Sequence, residues 1–399
     1  MSTLPRFPPV PASGDAESAH WAQSLGDGAP GIALAHIVRA RAGLDGWEPV
    51  HRLAAAMTRS PLNAHPDTAS LYQGAPAVAY ALHTADHPAY DTALATLDDA
   101  IATVIRSRLE AAHRRIDHGQ LPHAGEYDLI NGLTGLGALL LHRDRESALL
   151  REVLMYLVRL TRPIRVDGHA LPGWWATGSP DRRASARWNA GHAGFGMAHG
   201  IAGPLALLAI TKRQGITVAG HIDALHNVIA WLDQWRRGQR RAGWWPEVID
   251  HDELRTGSAA RPGPPRPSWC YGSPGIARAE HLAALALGDQ QRASNAVESL
   301  VGCLTDGHQL AQLTDAGLCH GWAGLLLTAH RAAVDTGTCE LSAAVSAAEA
   351  RGQRYLRGHG EPTREGFLEG LTGVTLTAAA LEITSDSALP GWDRCLLIS

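Results

Sequence analysis

A glycine motif followed by an apolar run recurs seven times along the 399 residues, and no other feature limits the fold so severely. It reads Asp27-Gly28-Ala29-Pro30-Gly31, Gln73-Gly74-Ala75-Pro76-Ala77, Asn131-Gly132-Leu133-Thr134-Gly135, His199-Gly200-Ile201-Ala202-Gly203, Tyr271-Gly272-Ser273-Pro274-Gly275, His320-Gly321-Trp322-Ala323-Gly324 and Glu369-Gly370-Leu371-Thr372-Gly373. The first glycines stand 46, 58, 68, 72, 49 and 49 residues apart, so the unit is a helical pair with loops of variable length. Only the second repeat departs from the pattern, with Ala77 at the fifth position.

Behind the motifs come runs such as Leu136 to Leu141, Leu205 to Ile210 and Leu325 to Ala329, apolar almost all round, which predicts helices buried on both sides. Between them lie amphipathic stretches. Leu94, Leu97, Ile101, Val104 and Ile105 share one helical face, as do Leu149, Leu150, Val153, Leu154, Leu157 and Val158. Strand signals are sparse, so the chain reads as all-α, a double layer of inner and outer helices. Residues 1–399 are expected to form one domain of seven helical-hairpin repeats. An open array needs polar caps, yet the last repeat, Phe367 to Leu381, is as apolar as the middle ones, which predicts closure into a seven-fold α/α toroid. The motifs then converge at one end of the barrel, and residues before each first glycine line one basin. The small residues of the motif suit close helix approach and a permissive turn.

The two longest irregular stretches, Arg162 to His192 and His251 to Ser268, precede motifs and are expected to overhang that basin. Trp174, Trp175, Trp244 and Trp245 sit in or beside them, suited either to hold an apolar peptide segment or to pack against the toroid rim.

Composition excludes several classes. With 35 basic against 39 acidic residues and a net charge of -4, no basic face of the kind nucleic acid selects is present. No uninterrupted apolar run is long enough for a membrane span, and the start, Met1 to Asp15, lacks a cationic region followed by an apolar one. The reading is a soluble, cytoplasmic protein that meets a membrane only through partners. Five cysteines in such a chain point to metal binding, catalysis or burial and not to a disulfide framework.

Aligning the repeats on their first glycine brings Cys270 and Cys319 to the same position, two residues before it, in adjacent repeats. His320 stands beside Cys319. Two thiolates and an imidazole suit zinc, and three protein ligands leave the fourth position open, the arrangement of a catalytic site. Cys303 and Cys339 fall in outer-helix regions and Cys395 in the tail, where burial or exposure without function is expected. His199 occupies the position of His320 with no cysteine before it, a candidate acid or base facing the basin. Asp128 and Arg266 each lie four residues before a landmark, Gly132 and Cys270 respectively. A carboxylate there orients a histidine, relays a proton or caps a helix.

The motifs Ser268-Trp269-Cys270-Tyr271-Gly272, Leu318-Cys319-His320-Gly321, Ala198-His199-Gly200 and Tyr127-Asp128 before Gly132 resemble those of the lanthionine synthetase C family, the cyclases of lanthipeptide biosynthesis. The resemblance runs from the first repeat to the terminal Trp392-Asp393-Arg394-Cys395-Leu396-Leu397. It implies a seven-fold α/α toroid, Zn²⁺ held by Cys270, Cys319 and His320, and Asp128, His199 and Arg266 in the active site. It further implies a dehydrated precursor peptide with its leader as substrate, and a separate dehydratase as partner. In such a site a peptide cysteine thiolate adds to dehydroalanine or dehydrobutyrine, giving a (methyl)lanthionine thioether. His199 would protonate the α-carbon or stabilise the enolate oxygen, Asp128 would position His199 or take the thiol proton, and Arg266 would stabilise negative charge near the metal. Exchanging the roles of His199 and Asp128 fits the sequence equally well.

Three other readings differ in testable ways. A toroidal glycoside hydrolase needs two facing carboxylates, but the acidic basin residues Asp27, Asp128 and Glu369 come from scattered repeats. A prenyltransferase-like thiol alkylator needs a basic diphosphate site, and Lys212 is the only lysine. A non-catalytic toroid that binds a leader peptide or a dehydratase has no need of an open zinc site.

Overall fold

The computed structural model describes residues 19–166, 168–181, 183, 185–382 and 391–399, so the segment read above for targeting signals lies outside them. Among the described residues seven inner helices, Ala29–Arg41, Ala75–Ala85, Leu133–Arg143, Ala202–Arg213, Ser273–Leu287, Trp322–Thr336 and Leu371–Glu382, each begin one or two residues after a motif glycine. Pro30, Pro76 and Pro274 sit in the first turn, where the missing N–H removes no helical bond. Every residue from Ala202 to Thr211 is buried, as the apolar runs predict.

Outer helices follow, among them Asp91–Asp117 and Ala148–Leu160. Leu97, Ile101, Val104 and Ile105 of the first, and Leu149, Leu150, Val153, Leu154, Leu157 and Val158 of the second, turn inward and are buried. Among the described residues no outer helix follows the seventh inner one. No helix among them is long and apolar enough to cross a membrane.

Closure is visible in the backbone. The loops that carry the motifs are stitched side by side, with N–H of Leu129 donating to the Ala198 carbonyl at 3.1 Å, Ala198 to Cys270 at 3.1 Å, Cys270 to Cys319 at 3.2 Å and Cys319 to Leu368 at 2.8 Å. Leu368 then donates to Gly26 at 2.8 Å, and Leu25 to Tyr72 at 3.0 Å, joining the seventh repeat to the first and the first to the second. The fold is an α/α toroid.

The fifth motif glycine makes this belt possible. A Cβ on Gly324 would stand 2.0 Å from the Leu318 carbonyl oxygen and 3.3 Å from Trp269 Cβ, and one on Gly31 would meet Leu25 O at 2.2 Å and Phe367 Cβ at 2.7 Å. Each inner helix thus starts against its own loop and that of its neighbour. Repeat two reaches its helix by a different turn, with Gly74 at φ 79°, and there Ala77 is accommodated.

Two features exceed what an all-α reading anticipates. Within the first long loop Ile164–Val166 pairs with His169–Leu171, and at the end of that loop His192–Gly194 pairs with Val248–Asp250, just before the second, both antiparallel. These three-residue ribbons are too short to leave a period-two signal. The tail from Gly391 onward is seated among inner helices: Tyr80 Oη donates to Trp392 O at 3.0 Å, Tyr72 Oη to Cys395 O at 3.0 Å, Trp269 Nε1 to Leu396 O at 3.1 Å and Arg278 Nε to Ile398 O at 2.9 Å.

Candidate metal centre and acid–base pair

The belt sets the site. Because Cys270 N–H donates to the Cys319 carbonyl, the two side chains leave adjacent strands of one loop ring, and the donor atoms of Cys270, Cys319 and His320 all lie within 4.8 Å of one another. One ion with ligand bonds of about 2.0–2.3 Å bridges such a spread after small side-chain adjustments. Cys270 is buried, whereas Cys319 and His320 are half-buried, so the group keeps an accessible side.

The charges on these groups favour a cation. A hydrogen bond from Cys319, aided by His320 and Ser268, holds Cys270 well below the ordinary thiol range, and the same contact raises Cys319. His320 is raised by its contact with Cys270. The two sulfurs therefore share one negative charge between them, and only a positive ion makes room for a second. Ser268 Oγ accepts N–H from Gly272 at 3.0 Å and from Tyr271 at 3.4 Å, and stands 3.6 Å from Cys270 Sγ.

The belt also brings Asp128 and His199 together. His199 Nδ1 lies 2.7 Å from Asp128 Oδ2, while Asp128 Oδ1 accepts N–H from Asn131 at 2.6 Å and Gly132 at 3.0 Å. The carboxylate, only 1% exposed, thus caps its motif turn and orients the imidazole at the same time. His199 is partly exposed and tilts against the Tyr271 ring, with centroids 5.8 Å apart. Tyr271 follows Cys270 directly, so the imidazole stands close to the thiol group's loop.

Arg266 comes to the other side of the site. Its Nη1 is 3.9 Å from Asp315 Oδ2, and the same oxygen stands 3.5 Å from His320 Nε2. Asp315 escaped the sequence reading although the signal was there: it precedes Cys319 by four residues, as Arg266 precedes Cys270. A carboxylate beside a ligating histidine fixes the ring and raises its basicity.

Both long loops reach this end of the toroid. Thr177, Asp181 and His192 from the first line a cleft of about 800 Å³ that ends on Asp128, His199 and Tyr271, and the second delivers Arg266 and Ser268. Three of the four tryptophans pack against the toroid, and Trp244 is half-buried. Trp174, Trp175 and Trp245 are buried in the packing, with Trp175 Nε1 donating to Ala190 O at 2.8 Å and Trp245 Nε1 to Leu232 O at 3.0 Å. Burial pushes the Cys303 and Cys395 thiols up to about 12, which leaves both inert, and Cys339 is exposed.

Residues 20–397 match the lanthionine synthetase C-like proteins. The chain belongs to the lanthionine synthetase C-like family. Among curated relatives, the nisin biosynthesis protein NisC of Lactococcus lactis subsp. lactis is 25% identical over 338 residues, 83% of this chain and 78% of that protein. Among solved structures, a nisin cyclase superposes with a TM-score of 0.79 over 96% of this chain and 94% of its own, at 22% identity. The toroidal fold is that of the family.

Proposed function

We propose that this chain is a zinc-dependent lanthipeptide cyclase. The observation that carries the reading is the pairing of two thiols and an imidazole within bonding reach of one ion with a His199–Asp128 couple, its carboxylate buried and its imidazole partly exposed, from the two preceding repeats. Membership of a family whose relatives include a nisin biosynthesis protein supports it.

Cys270, Cys319 and His320 would hold Zn²⁺, a borderline-soft ion matched to sulfur and nitrogen donors. Bound there, the ion would supply the positive charge that keeps a peptide thiol deprotonated at neutral pH. The remaining chemistry belongs to the chain. The peptide sulfur forms a bond to the β-carbon of a dehydroalanine or dehydrobutyrine, the carbon–carbon double bond opens toward the carbonyl, and the α-carbon gains a proton. His199, with Nδ1 turned to Asp128, presents Nε2 to accept the thiol proton and return it to the α-carbon, so the step is redox-neutral. Asp128 is already engaged with two backbone N–H groups and the imidazole, which supports an orienting role and leaves His199 to carry the proton. Arg266, paired loosely with Asp315, balances negative charge beside the metal, and Tyr271 packs against the working imidazole.

The substrate is then a dehydrated precursor peptide with its leader. A separate dehydratase supplies it in the cytoplasm, and residues 1–399 act as one cyclase domain.

Metal analysis tests the reading first: about one zinc per wild-type chain, lost in Cys270→Ala, is expected. Incubation with a dehydrated cysteine peptide should then remove one alkylatable thiol per ring without changing mass. Metal-replete protein that binds no zinc, or peptide thiols that remain fully alkylatable, would overturn it.

A further inference from the structure

Beside His199 the cleft extends away from the metal ligands, and its wall contains a cation that the reaction above leaves unused. Arg108 projects from the long outer helix Asp91–Asp117 and lines the cleft with Asp128, Asn131 and His199. Its Nε donates to the Pro66 carbonyl and its Nη1 to the Asn131 carbonyl. Those two bonds clamp the guanidinium between the loops of repeats two and three. Nη2 has no acceptor among the described residues.

The two arginines buried among the described residues sit directly on carboxylates, Arg278 on Asp335 at 2.6 Å and Arg331 on Asp393 at 2.6 Å, and the half-buried Arg115 sits on Glu126 at 2.7 Å. Arg108 forms no ion pair among the described residues. Burial pulls its pKa down, and Asp128 and Asp67 offset this only through space. Arg108 is half-buried on the cleft wall, and a ligand that fills the cleft must offer an acceptor to this spare donor edge or leave it unpaired. The cleft walls also carry Asp67, Asp128 and Asp181, which disfavour a carboxylate ligand. A neutral, strong acceptor fits better, and the main-chain carbonyl of a peptide is one.

Position relates this edge to the chemistry. Arg108 grips the carbonyl of Asn131, whose N–H donates to Asp128 at 2.6 Å, and Asp128 in turn holds His199. Arg108 and His199 therefore flank one carboxylate and face one cleft. We propose that Arg108 anchors the substrate, its Nη2 edge taking a main-chain carbonyl oxygen of the peptide beside the residue whose α-carbon faces His199. The inference rests on the cyclase reading and deepens it by assigning the cleft to the peptide backbone next to the reacting residue.

The test is binding, not turnover. A fluorescent cysteine peptide with alanine in place of the dehydro residue is titrated into zinc-loaded wild type, Arg108→Gln and Arg108→Lys. Single amide-to-ester replacements weaken one carbonyl at a time along the peptide. Loss of a hydrogen bond to a charged donor predicts affinity roughly tenfold or more weaker in Arg108→Gln. One ester position should weaken binding to wild type several-fold and have no further effect in Arg108→Gln, while zinc content stays equal. Ester effects that simply add to the Arg108→Gln loss at every position would overturn the assignment and leave Arg108 a structural clamp. If Arg108→Gln fails to fold, the comparison with Arg108→Lys, which keeps the charge but not the fork, decides on the same criterion. Absence of saturable peptide binding to zinc-loaded wild type would instead sink the cyclase reading itself.

Discussion

Replacing Asp128 by asparagine isolates the link between fold and proton transfer. The carboxylate accepts four hydrogen bonds, from Asn131 N–H at 2.6 Å, Gly132 N–H at 3.0 Å, His199 Nδ1 at 2.7 Å and, at the longer distance of 3.4 Å, Asn131 Nδ2. Asparagine is isosteric and its single oxygen can keep the two backbone donors, so the motif turn survives at a cost of about 1–2 kcal/mol for exchanging charged for neutral acceptors. Its NH₂ then faces His199. An amide donor there demands an Nδ1 lone pair, which moves the imidazole proton to Nε2, the nitrogen turned toward substrate. Such a ring cannot accept the thiol proton. Loss of general acid–base assistance predicts a fall in kcat of roughly 10²- to 10⁴-fold. Zinc content should not change, because neither Asp128 nor His199 belongs to the donor group. Ring formation followed by thiol alkylation gives the rate, and ¹⁵N shifts of the His199 ring report the tautomer. A variant with inverted tautomer and kcat within threefold of wild type would refute the assignment of His199 as proton carrier.

The packing of the belt gives further expectations. Gly324→Ala places a Cβ 2.0 Å from the Leu318 carbonyl, so overpacking should cost about 3 kcal/mol or more in urea unfolding, whereas Gly288→Ala, at φ 73° with open space around it, should cost only about 1–2 kcal/mol; equal losses would contradict the close-approach argument. Trp269→Phe deletes the bond from Nε1 to the Leu396 carbonyl, and since Trp269 precedes Cys270, weaker zinc retention against a chelator is expected alongside a loss of about 1 kcal/mol; unchanged retention would show that the tail does not steady the site. His281 is buried beside the Arg278 guanidinium, 2.7 Å away, and burial with that charge holds it down to about 3. The unfolded chain takes up this proton near pH 6.5, so stability present above that value is lost as pH falls from 6.5 toward 3, and His281→Gln should flatten the acid limb by up to about 1.4 kcal/mol per pH unit; parallel limbs in urea midpoints at pH 7.5, 6 and 5 would count against it.

What could be read from residues alone follows from where periodicity operates. Glycine spacing and apolar runs report on backbone approach and burial, so the inner helices, the outer faces and the meeting of Cys270 with Cys319 were all legible. Asp315 lies in the same register as Arg266 and was legible in principle, but a lone aspartate in a loop has many roles. The ribbons around His169 and His192 were not, because three residues leave no alternation. Neither was the seating of Trp392 to Ile398, where the partners, Tyr72, Tyr80, Trp269 and Arg278, lie more than a hundred residues away. Arg108 is one arginine in a helix rich in them, and only the cleft distinguishes it.

If the belt itself creates the metal site, the site should be transposable. Cys270 stands to Cys319 as Ala198 stands to Cys270: in each pair the first residue's N–H donates to the second residue's carbonyl, at 3.2 and 3.1 Å. His320, which follows Cys319, corresponds to Tyr271, which follows Cys270. In a chain that has lost zinc through Cys319→Ala, adding Ala198→Cys and Tyr271→His should therefore restore binding of one zinc, now one repeat closer to Asp128. The copy should bind about 10- to 100-fold more weakly than the native site, because the residue corresponding to Asp315 is Arg266, a cation where the histidine needs a carboxylate. Arg266→Asp in the same chain should recover part of that loss. Ring formation should not return, since the ion would crowd His199. A transposed chain that binds no zinc, while remaining folded by circular dichroism, would show that the donors need more than their place in the belt.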